Sequence, residues 1–263
     1  MASETLLFER ADGIARITLN RPDKLNSFNT EMHEALRDVL AQVQADKSLR
    51  VLVLTGAGRA FCAGQDLGDS AVTPGDAAVD LGASIDKYYG PLVLALRRLP
   101  MPVICAVNGV AAGAGANLPL ACDIVLAARS ASFVEVFCKL GLIPDTGGTY
   151  FLPRLLGSAR ATALAMLGDK LSAEQAAAWG LIWQCVDDEQ LAAETDKLAR
   201  HFAQAPTLGL ARTKQALQAS GLNTLEAQLD LERDHMRELG HSADYREGVA
   251  AFMARRAPQF VGA

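Results

Sequence analysis

The chain has 263 residues, of which 21% are charged and 50% hydrophobic, and a formal charge of −5. That length buries a full core, and the composition is that of a folded protein, not a disordered one. The acidic balance argues against a general electrostatic grip on nucleic acid or anionic lipid, and the richest apolar stretch, 102–128, is broken by Asn108, several glycines and Asp123, which excludes a spanning helix there.

Taken in chain order, the N-terminal MASETLLFERADG has acidic residues and no long apolar run, so no secretory signal is predicted and a cytoplasmic protein is expected. Residues 5–10 and 13–20 read as a hairpin around Ala11-Asp12-Gly13. A helix is predicted from about Asn29, with Met32, Leu36, Val39, Leu40 and Val43 on one face. Apolar runs at 50–56, 102–109 and 123–129 predict strands buried on both faces, and so a largely parallel sheet crossed by helices. Residues 68–90 are small, acidic and turn-rich, and are read as a mobile surface segment leading into a helix at about 84–98. Beyond Gly157, Ser172 to Gln175 has capping-box spacing. A strand at 181–186 is followed by helices at about 188–204, 206–219, 223–239 and 242–255. Leu225, Leu229, Met236 and Leu239 share an apolar face, suited to core packing or to a subunit contact.

Five scattered cysteines, with no CxxC pair and no Cys/His cluster, predict buried thiols and no metal site. His33, His201, His235 and His241 fall in segments read as polar helix faces or loops, and no GxSxG elbow is present.

Three segments that follow strands carry the chemistry: AFCAGQDL at 60–67, NGVAAGAGANL at 108–118 and GLIPDTGGT at 141–149. Glycine and alanine let backbones approach closely, so the first two turns can either pack a helix tightly or aim peptide N–H groups into a cleft. They fit neither GxxxxGK[ST] nor GxGxxG, which removes a nucleotide loop. Asp145 in the third segment is either the cap of a helix starting near Gly148 or a base. Its neighbours Leu142 and Ile143 are expected to desolvate it.

LNRPDKLNSFN at 19–29, LTGAGRAFCAGQDL at 54–67, AVNGVAAGAGANLPLACDIVLAA at 106–128, KLGLIPDTGGTYFLPRLLG at 139–157 and YREGVAAFMARRAPQF at 245–260 together make the chain resemble the crotonase (enoyl-CoA hydratase/isomerase) family over nearly its whole length. The resemblance implies an α/β ββα superhelix of the ClpP/crotonase type over 1–200 and a C-terminal helical trimerisation region over 201–263. It implies an oxyanion hole at the backbone N–H groups of Gln65 and Ala114, and a catalytic aspartate at Asp145, where several family isomerases carry theirs. Asn117 and Phe137 occupy the positions of the hydratases' paired glutamates, and neither can act as a base. The resemblance further implies a substrate site drawn from Lys24, Ala60, Ala63, Asp66, Asn117, Phe137, Phe252 and Arg255, although Lys24 and Arg255 also read as solvated surface charges. Coenzyme A is then part of the substrate, with no separate cofactor, no metal, no nucleic acid and no membrane, and the assembly is a trimer or a hexamer of two trimers.

KLNSFNTEMH at 24–33, FCAGQDLGD at 61–69, CKLGLIPDTGGTY at 138–150, LGDKLSAEQAAAWGLIWQCVDDE at 167–189 and LDLERDHMRELGHSADYREGV at 229–249 resemble, within the family, isomerases of aerobic phenylacetate catabolism that open a ring epoxide. Shifting a 3-enoyl-CoA double bond to the 2-position is open to the same apparatus. A hydratase or thioester hydrolase of this fold, and a non-catalytic RNA-associated relative, are the alternatives. The second lacks a basic stripe with interleaved aromatics.

Overall fold

The computed structural model describes residues 4–69 and 79–263. Residues 70–78 of the 68–90 segment expected to be mobile lie outside the described residues. The chain opens with the hairpin β1 (Leu6–Ala11) and β2 (Ile14–Leu19), turned at Asp12 and Gly13, both at positive φ. Helix α1 (Thr30–Ala45) is capped by Asn29, whose side chain accepts from the Met32 N–H at 3.0 Å. Three ββ steps follow: β3 (Val51–Gly56) with β4 (Ala60–Cys62), β5 (Val103–Val107) with β6 (Val110–Ala112), and β7 (Ile124–Ala128) with β8 (Ser132–Val134). Between the first and second steps the chain makes one helical run, α2 (Leu81–Ser84), a π-helical turn at Ile85–Tyr89, and α3 (Gly90–Arg98). Between the second and third lies the short α4 (Ala114–Asn117).

One strand of each step joins a six-stranded sheet ordered β1-β2-β3-β5-β7-β10, parallel except for the hairpin; β10 is Gln184–Val186. The other joins a four-stranded sheet ordered β4-β6-β8-β9, where β9 is Lys170–Ser172. This is the expected ββα winding with one correction: the second sheet is missing from a sequence reading, because its strands are three residues long and too short for a periodic signal. The strand expected at 181–186 shrinks to its last half.

Helices α5 (Gly148–Leu156) and α6 (Ser158–Leu167) lead to α7 (Ala173–Trp179), where the Ser172 hydroxyl accepts from the Gln175 N–H. Helix α8 (Leu191–Ala203) packs on β3, β5 and β7, so residue 200, the expected end of the core, falls inside a helix that lies on the main sheet. Helices α9 (Thr207–Ser220), α10 (Leu225–Leu239) and α11 (Ala243–Met253) complete the tail. Leu52, Leu54, Ile104 and Leu126 are buried in the main sheet, with Met32, Leu36, Leu40 and Val43 of α1 in the same core. Each such side chain contributes about 1.5–3 kcal/mol.

The tail is tied back by charge. Lys214 of α9 is buried, its Nζ 2.8 Å from Asp123 and donating to the Leu96 and Met101 carbonyls, while Asp123 accepts the Val103 N–H. Burial lowers the lysine's proton affinity, and Asp123 opposes that shift. Arg50 reaches Thr207, Phe260 and the Ala205 carbonyl. Among the described residues no helix is long and apolar enough to cross a membrane.

Candidate active site

Arg21 to Phe28 form the first wall. Leu25 and Asn26 take left-handed backbone conformations, φ 50° and 56°, and Asn26 is fully buried. Its Nδ2 donates to the Ala57 and Ala60 carbonyls, both at 2.8 Å, and its Oδ1 accepts the Arg21 N–H. The Leu25 carbonyl accepts from Ala63 N–H at 2.9 Å. Lys24, Ala60 and Ala63 are thereby gathered on one edge, with Lys24 exposed. Asp66 is bound to Arg21 at 2.9 Å and accepts the Gly68 N–H; the bond from Arg21, with Lys24 adding its field, holds the carboxyl below its ordinary range. Its charge is committed to holding this loop.

Two backbone amides stand next to that wall. Phe28 N–H donates to the Gly64 carbonyl at 2.7 Å and Asp66 N–H to the Phe28 carbonyl at 2.8 Å. In a parallel bridge of this kind the intervening Gln65 N–H faces away from the partner strand. No acceptor meets it among the described residues. Ala114 N–H, first in α4, likewise has none, while the turn before it is anchored by Gly113 N–H on the Val134 carbonyl at 2.9 Å. The two turns touch through backbone. A Cβ on Gly115 would lie 2.2 Å from the Cys62 carbonyl oxygen, and one on Gly64 would lie 2.8 Å from the Ala112 oxygen and 3.4 Å from the Ala114 nitrogen. Glycine at 64 and 115 is therefore a condition of bringing the amides together.

The Gln65 side chain has a use the sequence did not reveal. Its Nε2 donates to the Phe28 carbonyl at 3.1 Å, and its Oε1 accepts from the buried Tyr89 hydroxyl at 2.7 Å. Phe28, His33, Tyr88 and Tyr89 form one aromatic cluster behind this turn. His33, expected on a polar face, is instead buried at 5% exposure and stacked between Phe28 and Tyr88. It shares the Leu36 and Leu40 face of α1, and burial lowers its pKa to about 4, so the ring is neutral near pH 7.

Asp145 sits in a strained turn: Thr146 has φ 52°, rare for a β-branched residue, and Gly147 has φ 83°. The carboxylate caps nothing. Gly147 is the N-cap of α5 with no side-chain bond, and it is the Asp145 backbone carbonyl that accepts Gly148 N–H. The side chain accepts from the Thr146 hydroxyl at 2.8 Å, and burial raises its proton affinity above the ordinary carboxylate range. The source of that burial differs from expectation, since Leu142 and Ile143 are both exposed, at 42% and 77%. Pro144, Thr146 and Gly148 are the buried members of the segment.

Asn117 joins this turn to a residue the sequence reading missed. Fully buried, it donates from Nδ2 to the Asp145 carbonyl at 3.0 Å and to Glu135 Oε2 at 3.3 Å. Glu135 is itself buried, and desolvation, with the Asp145 charge adding to it, pushes its pKa up to about 7. So a second buried carboxyl, which feels the Asp145 charge, stands near this turn, where a single one was expected. The available signal was a lone acid inside the apolar run SFVEVF. Phe137 is buried near Gly113, at the foot of the second amide turn.

Phe252 and Arg255 are not brought to this cluster. Phe252 is 81% exposed on α11, and Arg255 lies beyond that helix, not in it, at φ 52° where the helix ends. Among the described residues no group of three His, Cys, Asp or Glu is arranged to hold a metal ion, and none of the cysteines is paired.

The model of the family "Enoyl-CoA hydratase/isomerase" matches residues 9–263. The 1,2-epoxyphenylacetyl-CoA isomerase of Escherichia coli K12 is 61% identical over 98% of this chain and 99% of that protein. The trans-2-decenoyl-[acyl-carrier-protein] isomerase of Streptococcus mutans is 30% identical over all of both chains. The crystal structure of an enoyl-CoA hydratase from Bacillus anthracis superposes with a TM-score of 0.90 at 32% identity, covering 98% of this chain and 100% of that one. The chain belongs to the enoyl-CoA hydratase/isomerase, or crotonase, family.

Proposed function

We propose that this protein isomerises acyl-CoA thioesters, converting ring-1,2-epoxyphenylacetyl-CoA to oxepin-CoA and shifting 3-enoyl-CoA to 2-enoyl-CoA. The observation that carries the reading is the 61% identity to a 1,2-epoxyphenylacetyl-CoA isomerase over 98% of the chain. The site residues support it. The free N–H groups of Gln65 and Ala114 hold the thioester oxygen, and Asp145, buried and raised in proton affinity, is the base. In the double-bond shift Asp145 takes a proton from C2, the electron pair moves onto the thioester oxygen as an enolate, and the same proton returns at C4. With the epoxide, the bond shared by the two epoxide carbons opens as the ring expands to seven members, with no net change in composition.

Lys24, with the backbone at Ala60 and Ala63, receives the coenzyme A portion in this reading. The reading extends to a homotrimer or a hexamer of two trimers, in which Phe252 and Arg255 serve a neighbouring subunit. It is supported by α10, none of whose residues is buried and whose Leu225, Leu229 and Met236 stand exposed. Light scattering coupled to gel filtration tests it, and a monomer at working concentration contradicts it.

Hydration is the competing reading within the family. It needs a water held between two free carboxylates, and the Asn117 and Phe137 positions supply none, while the Glu135 carboxyl is engaged by Asn117. Incubation of the ring epoxide, a 3-enoyl-CoA and a 2-enoyl-CoA with the protein, with products identified by mass, decides between them. Isomers of unchanged mass are expected from the first two. Products heavier by one water from the 2-enoyl-CoA as the main outcome would overturn the assignment.

A further inference from the structure

We propose that Glu135 and Asn117 form an acid–amide pair, joined by two antiparallel hydrogen bonds, and that this pair is the positioning device for the turn carrying Asp145. The proposal rests on the reading of Asp145 as the base. Asn117 has two amide hydrogens and both are used, one on the Asp145 carbonyl and one on Glu135 Oε2. Its Oδ1 is buried and has no donor among the described residues. Leaving such an acceptor unmet in a dry site is costly, and the group facing the amide is a carboxyl. A carboxylic acid opposite a primary amide answers both needs at once: its carbonyl oxygen accepts from Nδ2, and its hydroxyl donates to Oδ1.

The surroundings favour the acid form. Glu135 is 5% exposed, no cation pairs with it among the described residues, and Asp145, of the same sign, adds its field to the burial. From its own element the Cys138 thiol donates to the Glu135 backbone carbonyl, and the Lys139 side chain lies beside Gly168 near that carbonyl. From the Ile85–Tyr89 turn, Tyr89 donates to Gln65 and is held neutral by burial, with the Asp145 charge adding to the shift. Gly148 closes the pair from the α5 side, where any Cβ would lie 2.4 Å from Asn117 Nδ2. When Glu135 ionises, Oδ1 and a carboxylate oxygen become two acceptors face to face, and Asn117 keeps its place only by giving up a bond to the Asp145 turn.

Burial raises the folded-state affinity of Glu135 for its proton, from the ordinary 4.5 to about 7. Its contribution to stability is thus fully present below about 4.5 and is lost by about 7. The test is infrared difference spectroscopy of the whole protein, titrated from acid to alkaline pH, on the wild type and Glu135→Gln, with kcat and KM followed over the same range. Glutamine keeps both bonds, with its amide N–H on Asn117 Oδ1, and cannot ionise. The expected result is a protonated-carboxyl band lost with a midpoint near 7 in the wild type and absent in the variant. The alkaline fall in kcat vanishes with it. Glu135→Leu, which makes neither bond, lowers kcat at every pH and leaves KM within about threefold, a split read against the tenfold-per-1.4 kcal/mol scale. The proposal is overturned if the band with that midpoint survives in Glu135→Gln, if the wild type has no such band, or if the alkaline limb is the same in both. Normal turnover by Asp145→Asn would remove the base and leave the Glu135 band in place, so the two failures are told apart.

Discussion

Gly64→Ala separates the fit of the two amide turns from every other property of the molecule. A Cβ at this position would stand 2.8 Å from the Ala112 carbonyl oxygen and 3.4 Å from the Ala114 nitrogen, and Gly64 has φ 90°. The first contact is with backbone on both sides, so relief comes only from moving one turn away from the other. The left-handed conformation alone costs about 1–2 kcal/mol for a residue with a side chain. Gly180→Ala supplies the control: φ is 82°, the new Cβ would meet nothing closer than the Leu155 oxygen at 3.9 Å, and the position caps α7 away from the site. Both variants should therefore lose stability through the positive φ they share, Gly64→Ala the more because its backbone contact must also be relieved, each seen as a drop in the urea midpoint. Only Gly64→Ala should lose catalysis, by about 10²–10³ in kcat, the effect of misplacing one oxyanion donor. Stopped-flow turnover of the ring epoxide, with titration calorimetry of an unreactive acyl-CoA, gives kcat and Kd separately. A folded Gly64→Ala with kcat within a few fold of Gly180→Ala would refute the claim that these amides act on the substrate.

Tyr89→Phe removes the donor to Gln65 Oε1 and should lower kcat by about tenfold with KM nearly unchanged, the scale of one buried hydrogen bond; equal losses in kcat and stability of the free enzyme would make Tyr89 merely a packing residue. Lys214→Met leaves Asp123 with its backbone partner and no cation, and should cost about 3 kcal/mol in urea unfolding without changing KM; a cost below about 1 kcal/mol would contradict a buried ion pair. The pH profile of kcat/KM should climb as Asp145 loses its proton, at a midpoint above the ordinary 3.8, because burial raises it and the unprotonated form is the base. A profile already flat from pH about 4 upward would mean that Asp145 is not the titrating group.

Much of this site was legible because backbone requirements leave marks in sequence. Gly64, Gly113 and Gly115 announce close approach, and Asp145 ahead of two glycines announces a turn of unusual geometry. The main sheet could be read for the same kind of reason, since β3, β5 and β7 are continuous apolar runs. What could not be read depends on contacts distant in sequence. The four strands of the second sheet are too short to carry a pattern, and their pairing is known only once the chain winds. Burial of His33 depends on Tyr88 arriving from a segment more than fifty residues on. The environment of Asp145 was expected to come from Leu142 and Ile143, yet both are exposed, and the buried members of its segment are Pro144, Thr146 and Gly148. Local sequence names the acid. Tertiary packing decides its charge.

The most direct measurement is turnover of ring-1,2-epoxyphenylacetyl-CoA by Asp145→Asn, with the dissociation constant of an unreactive acyl-CoA taken on the same preparation. Removal of a general base predicts a kcat lower by about 10²–10⁴ with Kd within a few fold of wild type. A variant that binds equally well and turns over at close to the wild-type rate would contradict the account.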